Sequence, residues 1–285
     1  MSKKILIPTD FSINSWNALI YALNLFKEDE CTFYLLNAFQ LYDFPGDKLI
    51  EAKPGEAVYE KEKQKSELGL KNLLDEINLR NDVANHHLEI ISTYNTVLDS
   101  VRETVKDKEI ELIIMGTKGE TNPESALYGS NAVNVIEKIQ ECPVLVLPTN
   151  VNFKDKIDDE IVFATKFKTF YNHDELACLV DIAKRNKAAV RILYVQESEK
   201  LTPVQEKNKG VLSHYFNEVV HTFHTLTNIK VAAGIHSFIE SRGSGMLVIV
   251  NKKHGFFESI FSKSLVKEIG YKPQVPVLVL HVSKK

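Results

Sequence analysis

Leu112-Ile113-Ile114-Met115-Gly116-Thr117-Lys118-Gly119, followed after nine residues by Gly129-Ser130-Asn131-Ala132-Val133, is the stretch that decides the fold. The apolar run reads as a buried strand, the glycines as a loop, and the segment from Gly129 as the start of a helix. In that order the three make an anion cradle. Glycine permits positive φ and close backbone approach, so successive N–H groups converge on a ligand oxygen. A helix start adds exposed N–H groups and the positive end of its dipole. Phosphate suits such a cradle. Taken alone, the same glycines also describe an ordinary turn between strand and helix.

The opening of the chain supplies a second element. Lys4-Ile5-Leu6-Ile7-Pro8-Thr9-Asp10-Phe11-Ser12 is a short strand ending in Pro-Thr-Asp. Leu19, Ala22, Leu25 and Phe26 then recur at roughly helical spacing, with Ser12 or Ser15 as the cap. Open α/β sheets bind ligands beyond the carboxyl ends of their strands. An Asp there is placed to accept hydrogen bonds from ribose hydroxyls. The alternative is that Asp10 closes a turn.

Together these motifs resemble the universal stress protein family in its tandem form. Nucleotide-binding members of that family carry an Asp after the first strand and a G-2x-G-9x-G-(S/T) motif after the fourth. Here these are Asp10 and Gly116, Gly119, Gly129 and Ser130, with the spacing intact. The resemblance covers essentially the whole chain, with the motif confined to the first half. It implies the strand order 3-2-1-4-5, which sets Asp10 and the Gly116 loop face to face. It also implies an adenine nucleotide: ATP, or alternatively AMP or ADP, with Mg2+ as the companion ion at the phosphates. Asp10 would hold ribose, and Pro8, Thr9, Ala38 and Met115 would line the adenine and ribose end. Gly116, Thr117, Gly119, Gly129, Ser130 and Asn131 complete the expected site. Lys118 has two readings, a phosphate contact or a surface lysine. The family often has a hydroxyl residue two places after Ser130, and Ala132 here removes that phosphate contact.

A chain of 285 residues suits two small α/β units. Its 44% hydrophobic and 26% charged residues are ordinary for a globular protein. A net charge of −3 gives no bias toward nucleic acid or membrane. Cys31, Cys142 and Cys178 are scattered, which fits reduced thiols and neither a disulfide framework nor a Cys-rich metal site. Met1-Ser2-Lys3-Lys4 leads straight into a strand without the pattern of a secretory signal. No apolar run reaches the length of a bilayer span. A cytoplasmic protein is expected.

An internal repeat is the other strong signal. Pro143-Val144-Leu145-Val146-Leu147 recurs as Pro276-Val277-Leu278-Val279-Leu280, and 276 − 143 gives an offset of 133 residues. Ile161–Ala164 matches the opening strand, Ala189–Val195 matches Phe33–Ala38, and Met246–Val250 matches Leu112–Met115. Each half then reads β-α-β-α-β-α-β-α-β. The expected fold is α/β, two doubly wound domains, each an open five-stranded mostly parallel sheet with helices on both faces. The boundaries expected are 1–148 and 149–285. Single-domain relatives pair through their last strands, so an intramolecular pseudo-dimer is implied, with the repeated Pro-Val-Leu-Val-Leu strands near the shared interface. Open apolar edges at those strands would otherwise invite aggregation.

The halves differ chemically. Aligning Ala164-Thr165-Lys166-Phe167 on Pro8-Thr9-Asp10-Phe11 places Lys166 where the acid stands. Asn251-Lys252-Lys253-His254-Gly255 replaces Gly116-Thr117-Lys118-Gly119, and Lys263-Ser264 replaces Gly129-Ser130. The second half is expected to keep the fold without this nucleotide site.

Elsewhere, Gln40–Val58 reads as a loop and Glu60–Leu79 as an amphipathic helix, with Lys61–Lys65 on its solvated face. His221-x2-His224 reads as a helical pair with both rings on one face, short of the ligands a metal needs. No Gly-x-Ser-x-Gly elbow, P-loop or G-x-G-x-x-G is present. Three function classes remain: an ATP-binding regulatory or stress-response protein, a slow ATPase or adenylyl-transferring enzyme, and an interaction scaffold. The motif provides a cradle and no general base, so a catalyst is the weaker expectation. The stress signal and any protein partner are not legible.

Overall fold

The computed structural model describes residues 2–40, 42–43, 48–49, 53–80, 85–117, 129–149, 151, 160–196, 200–251 and 275–282. By internal contacts the chain divides into two compact units, one running through Cys142 and the other starting at Pro143.

Unit 1 opens with β1 (Lys3–Pro8), α1 (Ile13–Leu25) and β2 (Cys31–Phe39). Two strands of two residues each, β3 (Tyr42–Asp43) and β4 (Lys48–Leu49), form a small antiparallel ladder inside the segment expected as loop. Then come α2 (Ala57–Asn78), β5 (His86–Tyr94), α3 (Val97–Lys108), β6 (Leu112–Gly116) and α4 (Ser130–Lys138). The strands are parallel in the order β5-β2-β1-β6. The chain winds outward from β1 through β2 to β5, then returns to β6 on the other side. That reversal makes a crevice at the carboxyl ends of β1 and β6.

The strands form because their residues are apolar on both faces. Ile5, Leu6, Ile7, Phe33, Leu35, Ile113 and Ile114 are fully buried, as strands covered on both sides require. In α2, Ser66, Leu70, Leu73 and Ile77 are buried. Their spacing of four, three and four residues makes one helical face. The helix begins three residues earlier than its charge pattern suggested.

Unit 2 takes β7 (Val144–Leu147), then β8 (Glu160–Ala164), α5 (His173–Asn186), β9 (Ala189–Val195), α6 (Pro203–Tyr215), β10 (His221–Leu226), α7 (Val231–Arg242), β11 (Met246–Asn251) and β12 (Val277–His281). Its strands run β10-β9-β8-β11-β12-β7, parallel except for the last pair. Thus the two copies of Pro-Val-Leu-Val-Leu pair with each other. Val146, Leu145 and Val144 stand opposite Val277, Leu278 and Val279 in an antiparallel ladder, and all six are fully buried.

The histidine pair is corrected. His221 and His224 lie on β10, where residues three apart point to opposite faces. His221 bonds the Val219 carbonyl and Ser213, while His224 bonds Thr222 and packs against Phe238. The alternation of Phe223 with polar neighbours is the strand signal that the i,i+3 count obscured.

One ionic cluster ties unit 2 together. Glu160, the first residue of β8, accepts from Nε and Nη2 of Arg191 at 2.9 and 2.6 Å. Arg242, the last residue of α7, adds Nε at 2.7 Å and Nη2 at 2.5 Å. The Arg242 hydrogen bonds, aided by those of Arg191 against the cost of burial, lower the Glu160 pKa from 4.5 to about 2.

Candidate functional site

At the carboxyl end of β1 the chain makes a tight turn fixed by side chains. The Thr9 N–H donates to the Leu36 carbonyl at 2.8 Å, and Asn37 Nδ2 donates to the Thr9 carbonyl at 2.7 Å. Thr9 Oγ1 accepts the Phe11 N–H at 3.1 Å and donates to Ser15 Oγ at 3.1 Å. Phe11 takes a φ of 64°, rare for an aromatic residue. Ser12 is the N-cap of α1, accepting from the Ser15 N–H. Asp10 Oδ1 accepts both the N–H and the hydroxyl of Ser12, at 3.1 and 2.6 Å. The exposed carboxylate therefore closes a turn, and that turn fixes it at the rim of a cleft.

The other wall comes from β6 and α4. A Cβ on Gly116 would stand 3.0 Å from the Asn14 carbonyl oxygen, so glycine lets α1 approach the end of β6. Neither Gly116 nor Gly129 adopts a left-handed φ, and Gly129 is extended at −66°. At Gly116 it is close approach, one of the two uses of glycine read from the sequence, that operates. The Gly129 N–H donates to the Thr117 carbonyl, clamping the two ends of the connecting segment. Gly129 is the N-cap of α4, with no side-chain cap and no acid in the first turn. The first bond within the helix is Val133 N–H to the Gly129 carbonyl at 3.1 Å. The N–H groups of Ser130, Asn131 and Ala132 thus precede the helical ladder and face the crevice end of the sheet.

These parts line an open cleft. Of the residues singled out from sequence, Pro8, Thr9, Asp10, Ala38, Met115, Gly116, Thr117, Gly129 and Asn131 line it. Ser130 starts α4 beside it, exposed. Lys118 and Gly119 lie outside the described residues. Ser15, Leu36, Val97 and Ala132 also line the cleft. Leu36 was legible as the alternate neighbour of Ala38 on β2. Val97, the first residue of α3, carries no motif, and only strand order brings it here.

Electrostatically the cleft is one carboxylate facing a helix N-terminus. Its described lining contains no Lys, Arg or His. Leu36, Ala38, Val97, Met115 and Pro8 supply an apolar slot. Such a lining suits a flat heteroaromatic body, with polar groups at one end only. Among the described residues, no group of three or more His, Cys, Asp or Glu is placed to hold a metal ion. No described helix is long and apolar enough to cross a membrane.

Unit 2 repeats the turn with different contents. The Thr165 N–H donates to the Leu193 carbonyl at 3.0 Å, and Phe167, with φ of 55°, donates its N–H to Thr165 Oγ1 at 3.2 Å. The backbone device is the same, yet Lys166 stands in place of the acid. Six residues on, where unit 1 has Ser15, the Tyr171 hydroxyl bonds Thr165 Oγ1 at 3.1 Å. That phenol is buried, which raises its pKa. Lys252–Gly255 and Lys263-Ser264 lie outside the described residues.

Comparison with known proteins agrees with this architecture. The universal stress protein family model matches residues 1–148. One universal stress protein of Methanocaldococcus jannaschii is 31% identical over 155 residues, covering 51% of this chain and 81% of the relative. A second from the same organism is 34% identical over 158 residues, covering 52% of this chain and 95% of the relative. The crystal structure of a universal stress protein from Archaeoglobus fulgidus superposes over 100% of this chain and 98% of its own, with a TM-score of 0.71 at 17% identity. That likeness extends the fold across both repeats. With the family model matching residues 1–148, more than half of its length, the chain belongs to the universal stress protein family.

Proposed function

We propose that the chain is an adenine-nucleotide-binding regulatory protein of the stress response that takes one ATP in the cleft of unit 1. The observation that carries this reading is convergence: an apolar slot, a carboxylate and an uncapped helix N-terminus meet in one cleft. Each matches one part of a nucleotide. The slot between Leu36, Ala38, Val97 and Met115 receives adenine. Asp10 accepts from the ribose hydroxyls, its carboxylate already held by Ser12. Ser130, Asn131 and Ala132 present N–H groups to the phosphates, Gly129 leaves the approach to them open, and the dipole of α4 adds to the attraction. Ala132 carries no hydroxyl, so that end binds through the backbone. Mg2+ would be held through the phosphates and water, because the cleft offers it a single carboxylate. AMP and ADP fit the adenine and ribose end equally, and the phosphate end favours the longer chain.

Unit 2 binds no nucleotide on this reading. Lys166 cannot accept from ribose, and Tyr171 fills the space beside Thr165. Calorimetry on the full chain is expected to give one ATP per chain. Two equivalent sites, or none, would overturn the assignment.

The same geometry argues for binding without efficient turnover. Hydrolysis needs a positioned water and stabilisation of charge that develops only in the transition state. A cradle that holds ground and transition states equally gives no acceleration. No described lining residue is a histidine, lysine or arginine, and Asp10 is committed to ribose and the turn. Steady-state ATPase activity should therefore lie well below about 1 s⁻¹, the low end of ordinary enzymes. Turnover at or above that rate would place the protein among enzymes.

A further inference from the structure

Beside the nucleotide cleft lies a second concavity, a groove of about 420 Å³ between α1 and α2. The two share Thr9 and Ser15 as a common wall. The floor of the groove is aromatic and aliphatic: Phe11, Ile13, Trp16 and Leu73. Phe11 is 39% exposed and Ile13 67%, large apolar surfaces to leave in water. The left-handed Phe11 backbone seats its ring against Gly69 of α2, where a Cβ would stand 2.5 Å from the ring. Asn72 and Glu76 form the rim on α2. Glu76 has no ion-pair partner among the described residues.

The chain contains its own comparison. In unit 2 the equivalent Phe167 is only 2% exposed and packs against Tyr194 and Phe223. The helix that follows β9, as α2 follows β2, reaches into that turn with amides. Gln205 Nε2 donates to the Lys166 carbonyl at 2.9 Å, and Asn208 Nδ2 to the Phe167 carbonyl at 2.7 Å. Both amides are buried. Where unit 2 fills the place with its own side chains, unit 1 leaves it open and lines it with aromatic rings.

We propose that this groove binds a small organic cation: an ammonium or amidinium group on an aromatic or aliphatic body. The charge complementarity is specific. Among the described residues the lining has a carboxylate and two aromatic rings, one of them tryptophan, and no Lys, Arg or His. Aromatic faces attract cations, tryptophan most strongly, and the carboxylate adds to the same preference. Ile13, Leu73 and the Phe11 ring receive the apolar body. The volume falls within the range of small-molecule sites. The inference stands independently of the nucleotide reading, since Trp16 and Glu76 lie outside the nucleotide cleft.

Trp16 is the sole tryptophan of the chain, so its indole N–H gives one resolved signal in a ¹⁵N-labelled sample of the full protein. Titration with 2-phenylethylammonium should move that signal saturably. The neutral isostere 2-phenylethanol should bind about fivefold or more weakly, as should the ammonium probe to Glu76→Gln. Glu76 is an exposed helix position, so that exchange leaves the fold intact. An indole signal unmoved by the ammonium probe would overturn the proposal. So would equal affinity for the alcohol, or undiminished affinity in Glu76→Gln.

Discussion

A Gly129→Val chain is expected to lose ATP binding altogether, and Asp10→Ala to lose about 10- to 100-fold in affinity. Gly129 is buried, lines the cleft and has an extended φ that any residue adopts. Valine there is compatible with the backbone conformation at the start of α4 while placing an isopropyl group where phosphate approaches the first-turn N–H groups. The Asp10 figure follows from a hydrogen bond to a charged group, worth about 1.5–3 kcal/mol. Asp10→Asn separates the roles of that residue. Its side-chain oxygen can still accept from Ser12 and keep the turn, so a weakened affinity with an unchanged melting temperature isolates the charge. Calorimetry paired with thermal denaturation reads both quantities. Unaltered ATP affinity in Gly129→Val would remove the phosphate end from this cleft.

Glu160→Ala should destabilise unit 2 by about 1–3 kcal/mol. It leaves Arg191 and Arg242 facing each other with their shared carboxylate gone. Arg242→Ala should cost less, because Glu160 keeps both bonds to Arg191. Acid titration gives the signature. The folded-state pKa is lowered to about 2 from 4.5, so the stabilisation is complete above about 4.5 and fades as pH falls through about 2. The gap in stability between the unaltered chain and Glu160→Ala, measured by urea unfolding, should narrow across that window. A gap independent of pH down to 2.5 would show that packing, not charge, carries the effect.

The sequence carried the strands, the repeat and most of the cleft because each rests on local chemistry. Apolar runs such as Leu112–Met115 have no soluble alternative to burial, and Asp10 and Gly116 sit at fixed distances from strand ends. What it hid depends on long-range placement. Val97 reaches the cleft only because β5 and α3 follow the winding order, and the α1–α2 groove exists only once Phe11 meets Gly69. The histidine pair shows the opposite failure. An i,i+3 spacing is as compatible with a strand as with a helix, and the alternation around Phe223 had to arbitrate. Of the two uses of glycine the sequence offers, Gly116 shows close approach of a neighbouring helix.

The ladder between β7 and β12 separates heredity from mechanics. Val144–Leu147 closes the first repeat in the gene, yet it completes the sheet of the second unit. A change in those four residues is written in one repeat and felt in the other. Cut at the sequence border, the first repeat exposes the edge of β7 that β12 covers, and the second exposes β12 as a fresh apolar edge.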